Sequence, residues 1–262
     1  MEGSIISIDK TELAQNRELK YSNHQYNFKN VLSIPLILDQ IFQFMEKADI
    51  KRLSLCFKKI YQLYCIQIKK LKIKKDIEES NISNIKFDKY KNLIEIDLSS
   101  CKNIKDYSFI SNLEKLENLN LDDSNISDIS FLEKTKNIKV LNLAGFEKIK
   151  DYSYISNLEK LENLNLGYLD VTDISFLKKN KNIKILNLES CKKIKDFSFI
   201  SNLEKLEILN ICNTNISDIS FLEKNKNIKT LNIMGCHNIK DYSIVSNLKK
   251  TKNIYVDIHL PK

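Results

Sequence analysis

Glycine and proline are scarce: the 262 residues include 4 Gly and 2 Pro. That scarcity excludes long flexible linkers. Arginine is nearly missing, since only Arg17 and Arg52 accompany the lysines that make the net charge +8. A basic balance permits nucleic-acid or anionic-lipid binding. Specific base readout, however, draws on the planar fork of arginine, so nucleic acid is set aside as a partner. The basic runs Lys69–Lys75 and Lys178–Lys184 read instead as solvated flanks. Lys, Ile and Asn dominate, as AT-rich coding would give, so part of the charge reflects coding bias. Histidine is too scattered for a triad, at His24, His237 and His259. There is no nucleophile elbow, phosphate-cradling glycine loop or metalloprotease helix. The expectation is a protein without catalysis or cofactor.

No apolar run approaches the ~20 residues that span a bilayer. Residues 1–30 lack a continuous apolar segment and hold Glu2, Asp9 and Glu12, unlike a secretory leader. The sequence is therefore expected to be soluble and cytoplasmic, with the nucleus open to it and no membrane partner. Its six cysteines form no C-x-x-C pair and no zinc spacing, and Cys236-His237 is an isolated neighbour pair, so no metal is expected.

What the chain does have is an internal repeat. A leucine-like residue recurs at Leu93, Leu116, Ile138, Leu161, Ile183, Leu206 and Ile228, in steps alternating between 23 and 22 residues, and Thr251 stands at the next step. The true period is thus a 45-residue double unit, 23 plus 22. Each copy opens with L-x-x-L-x-L, as in Leu116, Leu119 and Leu121, whose last two positions alternate as a strand requires. A second apolar group follows, Ile126, Ile129, Phe131 and Leu132, and turns the chain back. Cys101, Cys191 and Cys236 share the ninth position, which would face inward. Cys191 and Cys236 would sit two strands apart, ~9–10 Å, too far for a disulfide, which needs Cα atoms within ~7 Å. Free buried thiols follow.

These copies resemble leucine-rich repeats. The resemblance implies an α/β solenoid: a curved parallel sheet over residues 93–262 with short turns or helices on the convex side. The form N-I-S-D-I-S-F-L is similar to the 22-residue subclass, which uses 3₁₀-like turns. The 23-residue copies, with D-Y-S-F-I-S-N-L, have room for a turn or two of helix. Residues 67–92 read as a degenerate first repeat, with Ile68, Leu71 and Ile73 mimicking a strand, and residues 1–30 as a polar tail. At the far end Ile254, Val256, Ile258 and Leu260 suggest a last strand.

Residues 31–66 have helical patterning instead. Ile34-Pro35, Ile37, Ile41, Phe44, Asp49-Ile50, Leu53-Ser54-Leu55-Cys56, Lys58 and Tyr61 resemble an F-box. The departures are Ile34 for leucine, Phe57 inserted after Cys56, and Tyr61 where tryptophan is usual. The resemblance implies a substrate-recognition subunit of a cullin–RING ubiquitin ligase. Ile34, Pro35, Ile37, Ile41, Phe44 and Leu53 would bind the ligase adaptor of the S-phase-kinase-associated type, and with it the cullin complex. The alternative stays open: these helices only cap a repeat scaffold that has no ubiquitin link, since a first repeat would otherwise expose its core.

Target contacts would come from the inside of the arc. Its central column reads Asp97, Asn120, Asn142, Asn165, Asn187, Asn210, Asn232 and Tyr255. Stacked asparagines suit a structural ladder. The two positions after the third leucine vary more: Ser99-Ser100, Asp122-Asp123, Ala144-Gly145, Gly167-Tyr168, Glu189-Ser190, Cys212-Asn213 and Met234-Gly235. Variation among near-identical copies suggests that the scaffold leaves these positions free. Asp97, Asp122, Asp123, Tyr168, Glu189, Asn213, Met234 and Tyr255 are the candidate target-binding residues. No lysine stands among these columns, so the concavity is expected to be neutral to acidic and its target basic or polar. A further column, Asp106, Asp128, Asp151, Asp173, Asp196, Asp218 and Asp241, each with serine two residues on, suits turn capping better than calcium, which wants denser oxygen ligands.

Overall fold

The computed structural model describes residues 5–8, 69–73, 87–145, 149–246, 248 and 252–256. Among the described residues ten strands form one parallel sheet in sequence order. They are β1 (Ile5–Ile8), β2 (Lys70–Ile73), β3 (Glu95–Asp97), β4 (Asn118–Asn120), β5 (Val140–Asn142), β6 (Asn163–Asn165), β7 (Ile185–Asn187), β8 (Ile208–Asn210), β9 (Thr230–Asn232) and β10 (Asn253–Tyr255). The register follows the repeat: Leu119, Leu141, Leu164, Leu186, Leu209 and Leu231 stand in one row. Each is at most 1% exposed, so one apolar line runs through the array. Within the stretch that reads as a polar tail, Ile5–Ile8 is a strand paired with Lys70–Ile73. The F-box-like residues, Ile34, Pro35, Ile37, Ile41, Phe44 and Leu53 among them, lie outside the described residues.

The convex returns are 3₁₀ turns in both kinds of copy, for instance Ser108–Asn112 and Ser130–Glu133. The turn or two of helix for which the 23-residue copies have room is not taken up at Ser108–Asn112, Ser153–Asn157 and Ser198–Asn202, while one α-helical turn appears at Ser243–Ser246. Two causes act together. Ser and Asn in S-x-I-S-N favour local bonds over helix. Helices also pack ~8–10 Å apart against ~4.8 Å for strands, so slimmer turns let the coils stack with less splay.

The aspartate column serves these turns as expected. Each Asp Oδ1 accepts the backbone N–H of the serine two residues on, at 2.8 Å in all seven copies. That serine is the first residue of the turn, so the carboxylate closes an Asx-turn just ahead of it. The backbone amides of Ser108, Ser198 and Ser243 hold Asp106, Asp196 and Asp241 below the usual carboxylate value of 3.8, and the Ser153 hydroxyl, with its backbone amide second, does so for Asp151. A carboxylate with a depressed folded pKa stabilises the fold above its unfolded pKa, and this is lost as pH falls through the folded value. The melting temperature should therefore drop as pH is lowered from 3.8. Replacing Asp106, Asp151, Asp196 and Asp241 together by Asn should flatten that acid limb in a calorimetric pH series.

The alternating period is accompanied by alternating contacts between copies. Across the 22-residue step, lysine meets glutamate: Lys139–Glu117 at 2.9 Å, Lys184–Glu162 at 2.7 Å and Lys229–Glu207 at 2.6 Å. Across the same steps asparagine also reaches a backbone carbonyl, Asn137 to Glu114, Asn182 to Glu159 and Asn227 to Glu204, at 2.8–2.9 Å. Across the 23-residue steps, by contrast, lysine Nζ donates to asparagine Oδ1, Lys115 to Asn92, Lys160 to Asn137 and Lys205 to Asn182, at 2.7 Å. Two fully buried asparagines add to this, with Asn180 Nδ2 donating to Ile155 and Leu158 and Asn225 Nδ2 to Ile200 and Leu203. The exposed ion pairs contribute ~0–1 kcal/mol each, and the neutral bonds about 1 kcal/mol. The abundance of asparagine is thus structural as well as compositional.

Cys101, Cys191, Cys212 and Cys236 are buried thiols outside any disulfide, in keeping with the two-strand spacing of Cys191 and Cys236. Burial pushes the Cys191 thiol up to about 11.

Candidate concave interaction surface

Strand alternation places two columns of side chains on the open face of the sheet. In β3–β9 the first and third residues face outward, while the middle one is buried, so Ile208 and Asn210 flank the buried Leu209. The turn of chain after each strand adds a third outward column, Ser99, Asp122, Ala144, Gly167, Glu189, Cys212 and Met234. The sheet continues through it: backbone N–H groups of Asp123, Gly145, Tyr168, Ser190 and Asn213 donate to carbonyls of Ala144, Gly167, Glu189, Cys212 and Met234 at 2.7–3.0 Å.

The central asparagines work within their own copy more than along a ladder. Oδ1 of Asn120, Asn142, Asn165, Asn187, Asn210 and Asn232 accepts the backbone N–H two residues on, at 2.9–3.2 Å. Asp97 does the same for Ser99. A cross-strand bond joins Asn120 Nδ2 to Asp97 Oδ1 at 3.0 Å. These side chains fix the exit of each strand.

The rim pairs are less free than their variation suggests. The second member of each pair has a positive φ: Ser100, Asp123, Tyr168, Ser190 and Asn213 between 51° and 66°, Gly145 at 125° and Gly235 at 70°. The scaffold thus dictates this position, and the first member alone is open to variation. Glycine, asparagine and aspartate tolerate the left-handed region; a bulky residue there is a true outlier. Tyr168 is that outlier, 46% exposed, with its hydroxyl donating to Glu189 Oε1 at 2.6 Å. Asn210 Nδ2 holds the other Glu189 oxygen at 3.2 Å. Such backbone strain is kept where the surroundings impose it, and it gathers at functional sites.

Charge is distributed differently from the sequence expectation. Lysine does enter the central column, through Lys72 on β2, which faces Asp97 in the register and pairs with it at 2.7 Å. Asp123 is likewise paired, with Lys102 at 2.8 Å. Burial alone would raise Asp97, but the bonds from Lys72 and Ser99 outweigh it and lower its pKa. Asp122 has no cationic partner among the described residues; burial, then Asp123 and Asp97, raise its pKa. The Lys72 pairing needed the three-dimensional stacking of β2 on β3, which the degenerate first repeat concealed.

The candidate residues therefore fall into two groups. Asp97, Asp122 and Asp123 lie together at β3–β4, with two of the three neutralised. Tyr168, Glu189, Asn213, Met234 and Tyr255 lie along β6–β10. Sequence reasoning missed Ile208, 36% exposed on the same face, because its column was not read as outward. Among the described residues there is no group of three or more metal-ligating side chains, and no helix is long and apolar enough to cross a membrane.

This geometry agrees with solved structures. The chain is similar to internalin C2 of Listeria monocytogenes, with TM-score 0.59 and 26% identity over 65% of this chain and 74% of that one. It is similar to a leucine-rich-repeat protein of Leptospira interrogans, with TM-score 0.58 and 20% identity over 71% of this chain and 48% of that one. A TLR13–ssRNA13 complex matches with TM-score 0.56 and 20% identity over 72% of this chain and 29% of TLR13. No family model and no curated protein matches. The stacked L-x-x-L-x-L strands and these likenesses define a leucine-rich-repeat fold.

Proposed function

We propose that this protein is a non-enzymatic interaction scaffold that holds a partner protein on its concave face. One observation carries the reading. Among the described residues, the large apolar side chains that remain exposed are Tyr168, Ile208, Met234, Ile254 and Tyr255, and all of them lie on the concave sheet, its rim or its C-terminal end. A monomer gains nothing from concentrating them there, and contiguous exposed apolar surface marks interaction sites. The test is affinity capture by the full chain compared with the Met234→Asp/Tyr255→Asp double variant. Specific partners should be lost at unchanged melting temperature; an unaltered set overturns the reading.

The F-box resemblance of residues 31–66 supports a finer form, in which the partner is the target of a cullin–RING ligase. Ile34, Pro35, Ile37, Ile41, Phe44 and Leu53 would then dock the adaptor, and catalysis would be by proximity alone. Co-purification of the adaptor with the full chain, abolished by Pro35→Asp or Ile41→Asp, distinguishes this form from the plain scaffold.

A further inference from the structure

The outward column Asp122, Ala144, Gly167, Glu189 places two carboxylates on either side of two small residues. Asp122 follows β4 and Glu189 follows β7, so three strand steps separate them, ~14 Å at ~4.8 Å each. Neither carboxylate has a cationic partner among the described residues, whereas neighbouring Asp97 and Asp123 do. Glu189 is held in place by Tyr168 and Asn210, and a carboxylate offers about four acceptor sites, so room remains for a cation. Ala144 and Gly167 leave a low floor between the two. A side chain on Gly167 would press on Asn165 Oδ1 at 3.3 Å and Asn187 Nδ2 at 3.4 Å. Tyr168, in its strained backbone, stands beside that floor.

The spacing selects the shape of an occupant. In an extended chain, residues i and i+4 share a face and lie ~13–14 Å apart. In a helix, the same-face spacings nearest this value are i+7 and i+11, ~10.5 and ~16.5 Å at ~1.5 Å per residue, and both miss. Charge complementarity fixes the chemistry, since two uncompensated carboxylates repel phosphate and attract lysine or arginine. We propose that the stretch from Asp122 to Glu189 receives an extended protein segment carrying two basic residues four positions apart, one for each carboxylate. The residue midway between them lies over Ala144 and Gly167 beside Tyr168. Farther along the same column, Met234 offers an apolar contact, 44% exposed.

This inference rests on the concave face being the interaction surface, and the test separates the two. A library of random peptides, each about 12 residues so that an i, i+4 pair fits in any register, is displayed on phage and selected on the full-length protein at low salt. Enrichment of basic pairs at i, i+4 over i, i+3 and i, i+5 is expected, with at least about a tenfold loss of recovery on Asp122→Asn or Glu189→Gln at unchanged melting temperature. Enriched peptides without that spacing, or indifferent to both substitutions, overturn the inference. If their recovery still falls with Met234→Asp, the scaffold reading survives. No enrichment of any peptide overturns the inference, while the scaffold reading is decided by the capture of whole partners.

Discussion

Replacing Leu164 by alanine should lower the unfolding free energy by about 3 kcal/mol, within the ~2–5 kcal/mol range for buried leucine. Leu164 is 1% exposed on β6, in register between Leu141 and Leu186. In a solenoid each copy contacts only its neighbours, so stability is close to a sum of copy and interface terms. A cavity at β6 weakens two interfaces at once and sits in the middle of the line. By contrast, Ile254→Ala on β10 should cost under about 1 kcal/mol, because Ile254 is already 38% exposed. Urea titrations followed by far-ultraviolet circular dichroism measure both. Equal costs at the two sites would contradict a continuous core at β6 and a partly exposed site on β10.

In the rim column, two substitutions should differ in their effect on stability. Gly235 has φ 70°, and a Cβ built there would land on the Asn213 side chain and lie 3.0 Å from its Cγ. Gly235→Ala should therefore destabilise by about 1–2 kcal/mol from the left-handed backbone, with the Asn213 contact adding to it. Tyr168 has φ 66° and no glycine to relieve it. Tyr168→Gly removes that strain but also the bond to Glu189 and some constraint on the unfolded chain. Stability should stay level or rise by up to about 1 kcal/mol, while capture of partners falls. A loss of stability on Tyr168→Gly as large as that of Gly235→Ala would show that the tyrosine supports the fold, not a contact. Thermal melts of both variants beside the capture assay decide it.

Much of this architecture was legible in one dimension, for a specific reason. L-x-x-L-x-L recurs because each copy must present the same apolar face to its neighbours, so the constraint is written anew in every copy. The aspartate column was readable on the same ground, since an Asx-turn is local and spans two residues. The rim column contained a signal that went unread: Ser100, Asp123, Gly145, Ser190, Asn213 and Gly235 are the small or polar types that tolerate positive φ, and Tyr168 masks the pattern. The 3₁₀ character of the 23-residue copies was not legible because helix or turn depends on how closely neighbouring coils stack.

The sequence by itself determined the solenoid, its period and its inward residues, because these are nearest-neighbour constraints repeated along the chain. Only the tertiary structure decided which charges remain uncompensated. Lys72 reaches Asp97 and Lys102 reaches Asp123 across stacked copies, while Asp122 and Glu189 are left facing the open side. Such pairing depends on side chains brought within a few ångströms by the parallel register, and electrostatic energy follows distance in space and not separation along the chain.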